Sequence, residues 1–232
     1  MTTTPLPRLR VRRKPWNLTR LAARFADGIA HVDAQREPFA RWWDEHNARE
    51  LHRDGPLWIA LGDSSVQGVG ASSPEAGWVP DVLGRLRELD SDWRVLNLAM
   101  TGAKMHHVVE EQIPLIAGRS LEPLLVTCMI GTNDFIGGST AGRLEADATR
   151  LVDRLPTGTW LGRGGGPGRK RSEAFRRPLD AALKTGRIKG FEPYRWPTRE
   201  GTLAPDRFHP GDLGYRYIAD NFWAAWSAEH RD

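Results

Sequence analysis

The sequence predicts an α/β protein built on a parallel sheet with helices over both faces, and three observations lead there. Leu57-Trp58-Ile59-Ala60-Leu61 is an unbroken apolar run of strand length, as expected of a strand covered on both sides. Comparable runs follow at Trp93–Ala99 and Leu124–Ile130, with stretches of helical periodicity between them. The strands lead into polar, glycine-containing turns: Gly62-Asp63-Ser64, Thr101-Gly102 and Gly131-Thr132-Asn133-Asp134. In a parallel sheet such turns lie along one rim, where the chemistry of α/β proteins gathers.

Taken in order, residues 1–15 read as a basic, flexible arm, with Pro5, Pro7 and Pro15 among arginines. Residues 16–55 read as a helical extension. Leu18, Leu21, Ala22, Phe25, Ile29 and Val32 recur at three- and four-residue steps, then Phe39, Trp42, Trp43 and His46, before Asp54-Gly55-Pro56 breaks the pattern. After the first strand, a helix runs through Trp78, Val79, Val82, Leu83 and Leu86, and a second spans about Lys104 to Ile116, with Pro114 expected to kink or end it. Ser139 or Thr140 caps a helix to about Leu155, and Thr159-Trp160-Leu161 is a short fourth strand. Residues 162–171 are glycine-rich and basic without P-loop spacing, and read as a mobile connection. A helix to about Lys184 precedes residues 186–205, which read as an irregular stretch of weak strand content. The last helix follows Pro210-Gly211. No internal repeat is visible.

Composition narrows the class. The net charge of +4 is uneven: residues 1–24 hold seven basic groups and no acidic one, leaving 26 basic against 29 acidic residues in the rest. The basicity belongs to the arm, which reads as a solvated tail rather than a nucleic-acid or lipid contact. No apolar run approaches the roughly 20 residues of a membrane span, and the N-terminus lacks the apolar core of a secretory signal, so a cytoplasmic chain is expected. Cys128 is the single cysteine, lies inside an apolar run and reads as a packed thiol.

Four islands carry the chemistry. Ser64 offers a hydroxyl at a strand end, and Asp206-Arg207-Phe208-His209-Pro210 precedes the last helix. A turn between Asp206 and His209 lets the carboxylate reach the imidazole. Attack of a hydroxyl on an acyl carbon needs a base, and an imidazole titrates near neutrality. Asp206 would hold the ring in its productive tautomer. The backbone N–H groups of Ser64 and Gly102 and the side-chain amide of Asn133 are the donors for the oxyanion, with Gly102 letting the backbone come close.

Together these islands resemble the signature blocks of the SGNH hydrolases, the GDSL-type esterases and lipases. Ser64 matches the nucleophile block, Gly102 the glycine of the second, Asn133 the amide of the third, and Asp206 with His209 the closing Asp-x-x-His. The Gly-x-Ser-x-Gly elbow of α/β-hydrolases is absent. The resemblance implies a three-layer α/β/α, flavodoxin-like fold with a central parallel sheet of about five strands over residues 56–232. It implies ester hydrolysis through an acyl-serine, with a small acyl ester as substrate and with no metal and no organic cofactor. Val66 stands where the family usually has Thr, the 186–205 segment stands in irregularly for the fifth strand, and the extension has no counterpart in the minimal fold.

The remaining residues have plainer readings. His106 and His107 are helical neighbours about 100° apart, poorly placed to share a metal. Asp63 and Asp134 read as turn and cap residues. Trp58, Trp93, Trp223 and Trp226 sit at core-like positions, whereas Trp160, Trp196 and the glycine-rich loop are assigned to the pocket wall. Two rivals stay open: an acyltransferase using the same serine, and a non-enzymatic module that binds nucleic acid or membrane through the arm.

Overall fold

The computed structural model describes residues 27–230, so the basic arm and the first part of the helical extension lie outside the described residues. Five strands, β1 (Leu57–Gly62), β2 (Arg94–Asn97), β3 (Leu125–Met129), β4 (Thr159–Gly162) and β5 (Ile188–Phe191), form one parallel sheet in the order β2-β1-β3-β4-β5. The chain steps outward from β1 to β2, then returns past β1 to β3. This reversal opens a crevice at the carboxyl ends of β1 and β3.

Alternation along the strands divides the interior in two. Leu57, Ile59 and Leu61 face one core with Val126 and Cys128. That core is closed by three helices: α4 (the consecutive pieces Met105–His107, Val108–Gln112 and Ile113–Ala117), α6 (Ala141–Arg154) and α7 (Arg169–Lys184). Trp58 and Ala60 face the other core, closed by α3 (Trp78–Leu89) and α8 (Asp212–Glu229). Trp58 is fully buried, and its indole N–H donates to Thr127 Oγ1 at 3.0 Å. This pairing lets a Trp occupy a dry site without an orphaned donor.

Within the described residues the extension forms a helix, α1 (Asp27–Glu50), continuous through Pro38. It covers the edge strand β2 in an unusual way. The Asn47 amide donates to Asn97 O at 2.7 Å and accepts from Asn97 N–H at 2.8 Å, so one side chain completes the ladder of an otherwise open edge.

Three expectations need correction. Residues 188–191 form a regular strand rather than an irregular substitute, with Ile188 and Phe191 buried and Lys189 and Gly190 half-buried. Its brevity, its edge position and its Lys-Gly centre hide it from a pattern search. Pro114 does not end its helix. A wider turn precedes it, in which Ile113 N–H donates to Val108 O, and helical structure continues to Ala117. The glycine-rich loop ends sooner than 171, because α7 starts at Arg169. Of the two proposed caps it is Thr140 that serves, accepting from Arg143 N–H.

Candidate active site

The serine turn is locked from several sides. Gly62 closes β1 at φ +148°, and a β-carbon there would lie 2.2 Å from Met129 O, so only glycine fits. The wide turn of α4 delivers the buried side chain of Gln112 to this glycine, accepting from its N–H at 2.9 Å and donating to its carbonyl at 2.8 Å. Asp63 then caps the short helix α2 (Ser64–Gln67), accepting from Ser65 N–H at 3.0 Å and from the Ser65 hydroxyl at 2.6 Å. Ser64 is thereby the first residue of α2, where its N–H has no acceptor within the helix. Val66, at the position of departure from the family pattern, is buried and belongs to the tryptophan-rich core.

The Asp206–His209 turn is held by a small antiparallel closure. Leu203 and Pro210 bridge, Ala204 N–H donates to His209 O, and Gly211 N–H donates to Thr202 O. Within it, Asp206 Oδ1 accepts from the N–H groups of Phe208 and His209, both at 3.0 Å. Asp206 Oδ2 accepts from His209 Nδ1–H at 2.6 Å, with both side chains 8 % exposed. With that proton committed to the carboxylate, His209 Nε2 faces the Ser64 hydroxyl at 3.0 Å. Burial works to raise the Asp206 pKa, yet the bonds from His209 and Phe208 hold it below the ordinary carboxylate value.

Asn133 lies in the short helix α5 (Thr132–Ile136) that follows β3, beside the serine. Its Nδ2 donates to Ala103 O at 3.0 Å and, less closely, to Asp63 Oδ2 at 3.3 Å. Asp63 is buried, which raises its pKa. Asp134 Oδ2 accepts from Met105 N–H, fitting the expected role of a residue that fixes its loop. Gly102 lies one residue before Ala103 at φ +78°, and a β-carbon there would meet nothing within 4 Å. Ser64, Asp206, His209 and Asn133 thus converge, with the Gly102 turn bonded to them through Ala103.

Helix α1 supports this arrangement from behind. Gln35 accepts from Gly70 N–H at 2.8 Å and donates to Ala71 O at 3.0 Å, while the Trp43 indole donates to Gln67 O at 2.9 Å. The held segment abuts the base, since a β-carbon on Gly70 would lie 2.7 Å from His209 Cβ.

The triad opens into a cleft of about 260 Å³ whose wall includes Tyr194, Trp196, Arg199, Leu203 and Phe208. Trp196 and Gly165 are on that wall as expected, but Trp160 is buried in the core beside Phe222. Trp58 and Trp93 are buried; Trp223 and Trp226 are half-buried and stack on each other along α8. The Trp196 indole N–H is buried and has no acceptor among the described residues. Sequence reasoning missed Tyr194. The residue is 39 % exposed overall, but its hydroxyl is secluded near Asp63, Ser65 and Thr132, and that burial pushes its pKa up to about 12. Recognising β5 would have marked this residue as lying at the functional rim.

Among the described residues no group of three His, Cys, Asp or Glu side chains is arranged to hold a metal ion. His107 Nδ1 instead accepts from Lys104 N–H at 2.9 Å. The Cys128 thiol is buried, which raises its pKa and makes it unreactive. No described helix is long and apolar enough to cross a membrane.

The profile of the GDSL-like lipase/acylhydrolase family matches residues 60–217, most of the chain. The chain belongs to that family. It is therefore a hydrolase of ester bonds. Solved structures of GDSL-like and other enzymes agree in fold. The psychrotrophic esterase EstA from Pseudoalteromonas sp., in a structure inhibited by monoethylphosphonate, is 18% identical with a TM-score of 0.61, over 77% of this chain and 100% of that one. The acetyl xylan esterase Axe2 from Geobacillus stearothermophilus is 20% identical with a TM-score of 0.58, over 75% and 95%. The salicylyl-acyltransferase SsfX3 from a tetracycline biosynthetic pathway is 21% identical with a TM-score of 0.58, over 77% of this chain and 57% of that one. No curated protein matches the chain in sequence.

Proposed function

We propose that this member of the GDSL-like family is a serine esterase or acylhydrolase of small acyl esters, with residues 56–232 as its catalytic unit. The observation that carries the reading is the continuous chain from Ser64 Oγ to His209 Nε2 at 3.0 Å and from His209 Nδ1 to Asp206 at 2.6 Å. His209 takes the Ser64 proton as the oxygen attacks the acyl carbon, and Asp206 stabilises the imidazolium that forms. The oxyanion is received by the N–H groups of Ser64 and Gly102 and by Asn133 Nδ2, whose longer contact to Asp63 is the one that yields. His209 returns the proton to the leaving alcohol, which departs and leaves an acyl-serine. Water, activated by the same imidazole, then releases the acid.

Acetylated sugars and acyl lipids are the substrate classes to try first, the former also being the kind of substrate named for Axe2. Hydrolysis of p-nitrophenyl acetate and butyrate by wild type and Ser64→Ala tests the reading. The variant is expected to lose at least about 10⁴-fold in kcat, and equal rates would end the proposal. Product analysis with added alcohols separates hydrolysis from acyl transfer, the activity named for the structurally similar SsfX3.

A further inference from the structure

A second recess adjoins the cleft at Ser64. Tyr194 and Gly165 line both, and the other walls of this wider recess, of about 500 Å³, include Arg163, Arg176, Arg195 and Ser172. The charge of this recess is one-sided. Arg163 is anchored by Asp180 at 2.9 Å and Glu192 at 3.1 Å. Arg176 and Arg195 are exposed and make no ion pair with a described residue, and the same is true of Arg199 in the catalytic cleft. Of the carboxylates lining the joined clefts, Glu192 is spent on Arg163, and Asp63 is buried and hydrogen-bonded.

Gly165, opposite Tyr194, lines both spaces. Gly164, Gly165 and Gly166 carry no side chain, and a β-carbon on Gly165 would sit 3.7 Å from both Arg176 Nη2 and Ser172 Oγ. A substrate lying across Gly165 would therefore meet these groups directly. A guanidinium offers paired donors that fit a phosphate, sulfate or carboxylate. The arginines line a wide, open recess that adjoins the catalytic cleft through Gly165 and Tyr194, so the occupant that uses both spaces is a substrate carrying a small anionic group.

We propose that this recess is a subsite for an anionic group on the part of the ester remote from the bond that is cut. The proposal rests on the serine-esterase reading of Ser64. Two pairs of substrates test it and locate the anion: 1-acetylglycerol 3-phosphate against 1-acetylglycerol, and p-nitrophenyl succinate against p-nitrophenyl butyrate. The first pair carries the charge on the alcohol side and the second on the acyl side. At least one anionic ester is expected to exceed its neutral partner in kcat/KM by about tenfold. That ratio should fall towards one in Arg176→Gln/Arg195→Gln and shrink as salt rises. Arg177→Gln, on α7 but paired with Glu145, should leave the ratio as it is.

Ser64-dependent hydrolysis with no anionic preference, or a preference that survives the double variant, would overturn the subsite while leaving the esterase intact. Hydrolysis of the neutral esters that survives Ser64→Ala would overturn both. Binding of the wild type to phosphatidylserine vesicles, lost in the double variant without any change in ester preference, would give these arginines to a membrane surface and also overturn the subsite.

Discussion

On one side of the cleft Asp63, Ser64 and His209 are buried, and their side chains are bonded to Ser65, Asn133, Asp206 and one another. On the other, Arg199 in the catalytic cleft and, beyond Tyr194 and Gly165, Arg176 and Arg195 stand exposed without a carboxylate partner among the described residues. The first wall is supported by α1 and by Gln112; the second is made by the glycine turn after β4, the exposed flank of α7 and the turn after β5. The difference separates two tasks. Attack on an acyl carbon tolerates little error in geometry, so its groups are over-determined. Choice of substrate depends on what the unpaired groups can attract, so those are left open.

The sharpest break of this contrast comes from Asp206→Asn. It keeps the shape of the turn but disturbs the tautomer that aims Nε2 at Ser64, and kcat is expected to fall by roughly 10⁴-fold with the fold intact by circular dichroism. Asn133→Ala removes one donor to the oxyanion and should cost about 10²–10³ in kcat, with little change in KM. Gln35→Ala frees the Gly70–Ala71 segment that abuts His209, and a fall in kcat of up to about 10² is expected without any contact to substrate. Its companion Asn47→Ala uncovers the β2 edge and should instead appear as a loss of about 2–4 kcal/mol in denaturant unfolding, because two buried backbone groups lose their partners.

The smallest effect concerns Asp134, whose burial lifts its pKa to about 6. The folded protein then holds this proton to a higher pH than the unfolded chain does, so between about pH 4 and 6 stability falls as pH rises. Asp134→Asn should remove this component, worth on the order of 3 kcal/mol at most, from the pH dependence of the unfolding midpoint. A wild-type and variant difference that stays constant across that window would contradict it.

The buried wall was legible in the sequence because its constraints are local and repeat. An apolar run into Gly62-Asp63-Ser64 announces a strand and its functional end, and Asp206 needs only one turn to reach His209. The open wall was hard to read for physical reasons. Lys189 and Gly190 at the centre of β5 satisfy no strand pattern, since an edge position demands little of them. With the strand unseen, nothing marked Tyr194 as a rim residue. The assignment of Trp160 to the pocket failed for a related reason: a short strand buried on both faces does not reveal which of its residues lie under the functional rim. Gln35 and Asn47 also escaped notice, because a polar side chain on a helix gives no sign that it will pair with another segment's backbone.

The central claim, that Ser64 is a nucleophile activated by His209, is tested most directly by treating the full-length protein with a fluorophosphonate and locating the adduct by mass spectrometry. A single adduct on Ser64, formed in wild type and greatly slowed in His209→Ala, is predicted. An adduct on another residue, or none while ester hydrolysis proceeds, would contradict the account.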